Sequence, residues 1–114
     1  MGRPLDVEAT TAGGRDVLTV AGELDLIAAP VLQQAVDRVL DQGSARLVLD
    51  LSGVRFLDSA GLRVLVSAQR ALTDENGQLQ IVCATPRVLE VFRVANLDDY
   101  LRVFGSLEDA LAET

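Results

Sequence analysis

The chain has 114 residues, is 49% hydrophobic and carries a formal net charge of −7. That length supports one compact domain spanning 1–114, and no run approaches the roughly 18 apolar residues of a membrane span, so direct membrane insertion is not expected. The acidic balance, with all ten basic residues arginines scattered along the chain, opposes a phosphate backbone: no nucleic-acid partner is expected, and a basic protein surface is the easier match.

The start, "MGRPLDVEAT", has no apolar signal region, and Pro4 and Asp6 argue against lipid attachment at its Met-Gly. A soluble, cytoplasmic domain is expected. "LDVEATT" and "DVLTVAG" read as strands joined by a hairpin turn at Gly13-Gly14. "APVLQQAVDRVLDQG" then places Val31, Leu32, Ala35, Val36, Val39 and Leu40 at helical spacing, with Pro30 in the first turn and Gly43 as the stop. "ARLVLDL" is a continuous apolar run suited to a strand covered on both faces, and Ser52 just after it reads as a turn former. A second helix follows from Ser59, with Leu62, Leu65, Val66, Gln69 and Leu72 on one side and Gly77 ending it.

"QLQIVCA" reads as another buried strand, holding the only cysteine, Cys83. Thr85 and Pro86 open a third helix whose inner stripe is Val88, Val91, Phe92 and Ala95, and Asn96 ends it. "DYLRVF" reads as a short edge strand, and "SLEDAL" begins a last helix with Ser106 and Asp109 at capping-box spacing. The order predicts an α/β domain: a central mixed β-sheet of four to five strands, the later ones parallel, packed with about four helices.

Chemistry is sparse. The chain has no histidine, which removes Ser-His-Asp and Cys-His arrangements and the commonest metal ligand. No phosphate-binding loop or G-x-G-x-x-G is present, and no carboxylates have metal-ligand spacing, so neither catalytic residues, metal nor cofactor is expected. Asp50, Asp58 and Ser59 are close in sequence, but a carboxylate is a poor base at its ordinary pKa.

Two stretches remain. In "FLDSAGLRVLV", Ser59 stands where a strand gives way to a helix, and three readings are open: a helix cap, a nucleophile, or a hydroxyl offered to another protein's active site. A phosphate there would add about −1.5 to −2 charge at a helix N-terminus, which tolerates anions. The fold should survive it, while a partner burying Ser59 would meet a dianion. In "GELDL", Glu23 and Asp25 put two carboxylates into one loop after a strand, either as a solvated turn or as an acidic contact for a partner's arginine or lysine. If the two strands run parallel and adjacent, both loops share one edge.

Taken together, "GELDLIAAPVL", "LVLDLSGVRFLDSAGLRVLV", "IVCATPRVLEVF" and "FGSLEDAL" resemble the STAS domain family, most closely its stand-alone bacterial anti-sigma factor antagonists, over about residues 5–111. The resemblance implies a non-enzymatic binding module for an anti-sigma factor that is itself a serine kinase. Binding frees a sigma factor for transcription, phosphorylation of the motif serine, here Ser59, breaks the complex, and a phosphatase resets it. It also implies that Asp25 is the acidic contact, that Asp58 orients or neighbours the acceptor, and that Gly61, Leu62 and Arg63 line the contact surface. Ala60 stands where many relatives carry a second hydroxyl, leaving Ser59 the sole acceptor in the turn. The alternative within the same family is an accessory subunit of a membrane transport system.

Overall fold

Gly13 and Gly14, with φ of 57° and 76°, turn the chain tightly enough for Ala12 to face Arg15, and so start a hairpin. The computed structural model describes residues 5–113; positions 1–4, weighed above for a signal or lipid attachment, lie outside the described residues. The hairpin strands are β1 (Asp6–Ala12) and β2 (Arg15–Leu24), followed by α1 (Ala29–Asp41), β3 (Arg46–Leu57), α2 (Ser59–Asp74), β4 (Gln78–Val82), α3 (Pro86–Val94), β5 (Val103–Phe104) and α4 (Leu107–Ala112). They form one five-stranded sheet in the order β1-β2-β3-β4-β5, with β1 antiparallel to β2 and every later pair parallel.

Alternation along the strands divides the core. Leu47, Leu49 and Leu51 of β3 join the large cluster with Leu32, Val36 and Val39 of α1, Val64, Leu65, Ala68 and Leu72 of α2, and Val88 and Phe92 of α3. Val48, between two of those leucines, packs with Val17, Val82 and Ala110 of α4 in the second cluster. Arg15 and Gln80 fasten α4 over it: Gln80 Nε2 donates to the Ala110 carbonyl at 2.8 Å, and the Arg15 guanidinium donates to the Leu111 and Glu113 carbonyls. The Leu111 carbonyl is among those that a helix C-terminus leaves without an intrahelical partner.

The element order agrees with the sequence reading; several details differ. The strand read at "ARLVLDL" continues through Leu57, so Ser52 lies inside β3. Two register shifts against β2, between Thr19/Ala21 and Gly22/Glu23, absorb extra β3 residues as bulges. The Asp50 carboxylate supports the first bulge, accepting from the Ser52 amide at 3.0 Å and hydroxyl at 2.6 Å. Val31 is 46% exposed, because Ala29, Leu32, Val36 and Val39 already fill the inward stripe of α1. The inward stripe of α2 is Gly61, Val64, Leu65, Ala68 and Leu72, with Leu62, Val66 and Gln69 on its flanks, and Ala95 beyond α3 is exposed. Asn76, not Gly77, takes the left-handed conformation after α2; a Cβ on Gly77 would stand 2.6 Å from the Ala45 carbonyl. Thr85 precedes α3 without a side-chain capping bond, and of "DYLRVF" only Val103–Phe104 pairs as a strand.

Candidate functional site

β2 and β3 are adjacent and parallel, and Leu24 pairs with Leu57, so both strands release the chain at the same edge of the sheet. After Leu24, Asp25 shapes the connection to α1: its carboxylate accepts from the Ala28 amide at 2.9 Å and its carbonyl from the Ala29 amide at 2.8 Å. Glu23 stays within β2, opposite Phe56, so only one of the two carboxylates expected in this loop belongs to it.

After Leu57, Asp58 alone separates strand from helix, and its extended backbone (φ −108°, ψ −172°) is that of an N-cap. One carboxylate oxygen accepts from the Ala60 and Gly61 amides at 2.9 and 3.1 Å; the other accepts from the Leu26 amide at 3.1 Å. The Asp58 amide in turn donates to the Leu24 carbonyl at 3.3 Å. Asp58 therefore caps α2 and ties it to the loop after β2. Gly61 has its own reason: a Cβ there would lie 2.6 Å from the Leu24 carbonyl oxygen and 2.7 Å from Leu24 Cγ. It is buried, and it brings the first turn of α2 down onto the end of β2.

Ser59 is left. It is the first residue of α2, not its cap, and it is exposed. Among the hydrogen bonds of the described residues, none uses its hydroxyl, while Asp58 satisfies the amides a capping serine would have taken. In D-S-x-G the aspartate and glycine have structural work and the serine has none. Arg63 is exposed one helical turn further on, whereas Leu62 is half-buried and packs against the large core cluster. The structure thus brings Asp25, Asp58, Ser59 and Arg63 to one edge, with Glu23 on the strand beside it and Gly61 and Leu62 supporting the turn from within.

The sequence reading missed the apolar part of this edge. Leu26 and Ile27 are 70% and 82% exposed, in the loop that Asp58 holds. Their signal was an apolar pair between strand and helix, outside the periodicity of either. Two surface grooves, between β1 and α1 and beside the C-terminal ends of α1 and α2, do not reach Ser59. Among the described residues no group of three His, Cys, Asp or Glu side chains is placed to hold a metal, and no helix is long and apolar enough to cross a membrane. Cys83 is buried, and desolvation pushes its thiol above the ordinary value.

A five-stranded mixed sheet with four helices, whose unexplained polar residue stands on an exposed edge instead of in a cleft, defines an α/β class built to present a surface. The family profile described as "Mlab, STAS domain" matches residues 7–107, and the chain belongs to the STAS domain family. It is 33% identical to the anti-sigma-F factor antagonist RsfB of Mycobacterium tuberculosis, over 97% of this chain and 92% of that protein. It is 28% identical to an anti-sigma-B factor antagonist of Staphylococcus aureus, over 87% of this chain and 92% of the other. The crystal structure of an anti-sigma factor antagonist from Mycobacterium paratuberculosis superposes with a TM-score of 0.88 at 32% identity, covering 95% of this chain and 92% of that one.

Proposed function

We infer that the whole chain is one STAS domain acting as an anti-sigma factor antagonist in the cytoplasm, and that phosphorylation of Ser59 switches it off. The observation that carries this reading is the division of labour in the turn: Asp58 caps α2, so the exposed Ser59 hydroxyl is free for a partner. The similarity to proteins named as anti-sigma factor antagonists supports the choice of partner. The partner docks on Leu26, Ile27 and the Asp25–Arg63 edge, where the two exposed apolar side chains supply buried area and the charged ones set register.

The partner is an anti-sigma factor with serine kinase activity, which contributes nucleotide, metal and base. The Ser59 oxygen bonds to the γ-phosphorus of ATP as the bond to ADP breaks, and the hydroxyl proton passes to the kinase. The product places a dianion at the centre of the docking edge. Leaving a contact requires no unfolding, because a helix N-terminus accommodates negative charge. A phosphatase restores the hydroxyl.

The test is incubation with ATP, magnesium and cognate anti-sigma kinases, with the added phosphate mapped by mass spectrometry and Ser59→Ala as control. Phosphate on Ser59, none on the variant, and tight binding by Ser59→Ala with weak binding by the phosphorylated protein are expected. No modification of Ser59 by any such kinase, or equal affinities of the three forms, refutes the switch.

A further inference from the structure

Arg63 is the cation of α2 nearest Ser59, four residues along the same helix face. Positions i and i+4 hold their Cβ atoms about 5–6 Å apart, within easy reach of a guanidinium. Both residues are exposed, and neither of the ion pairs among the described residues, Glu90–Arg93 and Arg102–Glu113, involves Arg63. The first turn of α2 carries no acidic residue, and the one carboxylate of the helix, Asp74, stands at its far end, so the positive charge of Arg63 lies in the second turn, against the helix dipole, without an acidic residue three or four positions away.

We propose that Arg63 is the intramolecular counterion of phosphorylated Ser59, pairing with the phosphate in cis and so withdrawing its guanidinium from the partner. The proposal rests on Ser59 being the modified residue. A guanidinium fork matches two phosphate oxygens, and the order, anion N-terminal to cation, is the favourable one on a helix. One modification then changes the docking edge twice: it adds a dianion and removes the cation one turn away. The other charges of the edge are Glu23 and Asp25 from the end of β2, and Arg55 and Asp58 from the end of β3. The carboxylates push the phosphate towards its monoanion; Arg63 pulls the other way.

Phosphoserine placed at position 59 during translation of the full chain makes the test independent of any kinase. The second ionisation of the phosphate, near pH 6 when unperturbed, is followed by phosphorus NMR at low ionic strength. In Arg63→Gln, a helix-compatible surface change, the midpoint is expected to rise by about 0.3 of a pH unit, and Arg63→Lys should recover part of the shift. Arg55→Gln removes the same charge off the helix and should move the midpoint less. The same midpoint with and without Arg63, or an equal shift from Arg55→Gln, overturns the pairing. A flat titration leaves the kinase switch standing, whereas a kinase that never modifies Ser59 refutes the switch and leaves the titration readable.

Discussion

Replacing Asp58 by alanine separates two accounts of the D-S-x-G turn. In the structure its carboxylate accepts three backbone N–H groups, from Leu26, Ala60 and Gly61. Loss of an N-cap costs about 1 kcal/mol, within a range of about 0.5–2. The bond to the Leu26 amide is exposed, so water replaces it and its loss adds about 0.5 kcal/mol. The sum is about 1.5 kcal/mol, a fall in Tm of roughly 6–9 °C for a domain of this size. Ser59→Ala removes no hydrogen bond of the turn and should stay within about 0.5 kcal/mol of the parent. Urea denaturation of the three proteins, read by far-ultraviolet circular dichroism, gives both differences as midpoint shifts at constant m. If Ser59→Ala loses as much stability as Asp58→Ala, the serine is a cap after all, and the freedom of its hydroxyl, on which the functional reading depends, is lost.

Gly61→Ala should destabilise by about 1–3 kcal/mol despite alanine's better helix propensity, because the new methyl meets the Leu24 carbonyl at 2.6 Å; thermal denaturation reads it, and an unchanged or raised Tm would show that the α2–β2 contact yields freely. Ile27→Asp should leave stability within about 0.5 kcal/mol, since the side chain is 82% exposed, while weakening binding to the anti-sigma partner at least about tenfold, as an apolar anchor would; calorimetric titration with equal affinity would remove this loop from the interface. Cys83 should resist a thiol reagent at pH 8 until urea unfolds the chain. Because burial raises its pKa, the folded state holds the proton longer. The stability from the buried neutral thiol is therefore complete below the ordinary thiol pKa and falls as pH climbs past it. A reaction in native buffer as fast as in urea would contradict that burial.

Most of the architecture was legible in the residues. Apolar period marked α1, α2 and α3, the glycine pair marked the hairpin, and "QLQIV" could hardly be anything but a buried strand. These signals are local: each depends on neighbours within a turn or on alternation along one strand. Where the sequence reading slipped, the competing influence came from elsewhere in the chain. Ser52 looks like a turn former but lies in a bulge, because β2 continues beside β3 and supplies pairing partners up to Leu57. Val31 fits a helical stripe, yet the sheet beneath α1 is already filled by Ala29, Leu32, Val36 and Val39.

The same boundary runs through the site. Sequence alone determined that Ser59 stands at a strand-to-helix junction, that no histidine is available to activate it, and that Asp25 and Asp58 are close to their respective strand ends. It left open which residue caps α2, since Asp58 and Ser59 are both good capping residues at adjacent positions. Only the tertiary structure decided that question. The parallel pairing of β2 with β3 brings Leu24 beneath the first turn of α2 and the Leu26 amide beside Asp58, which leaves room for nothing larger than glycine at position 61 and gives Asp58 an amide from another loop to hold. With its carboxylate engaged on both sides, Asp58 is the cap, and the serine beside it is exposed, its hydroxyl in no hydrogen bond among the described residues.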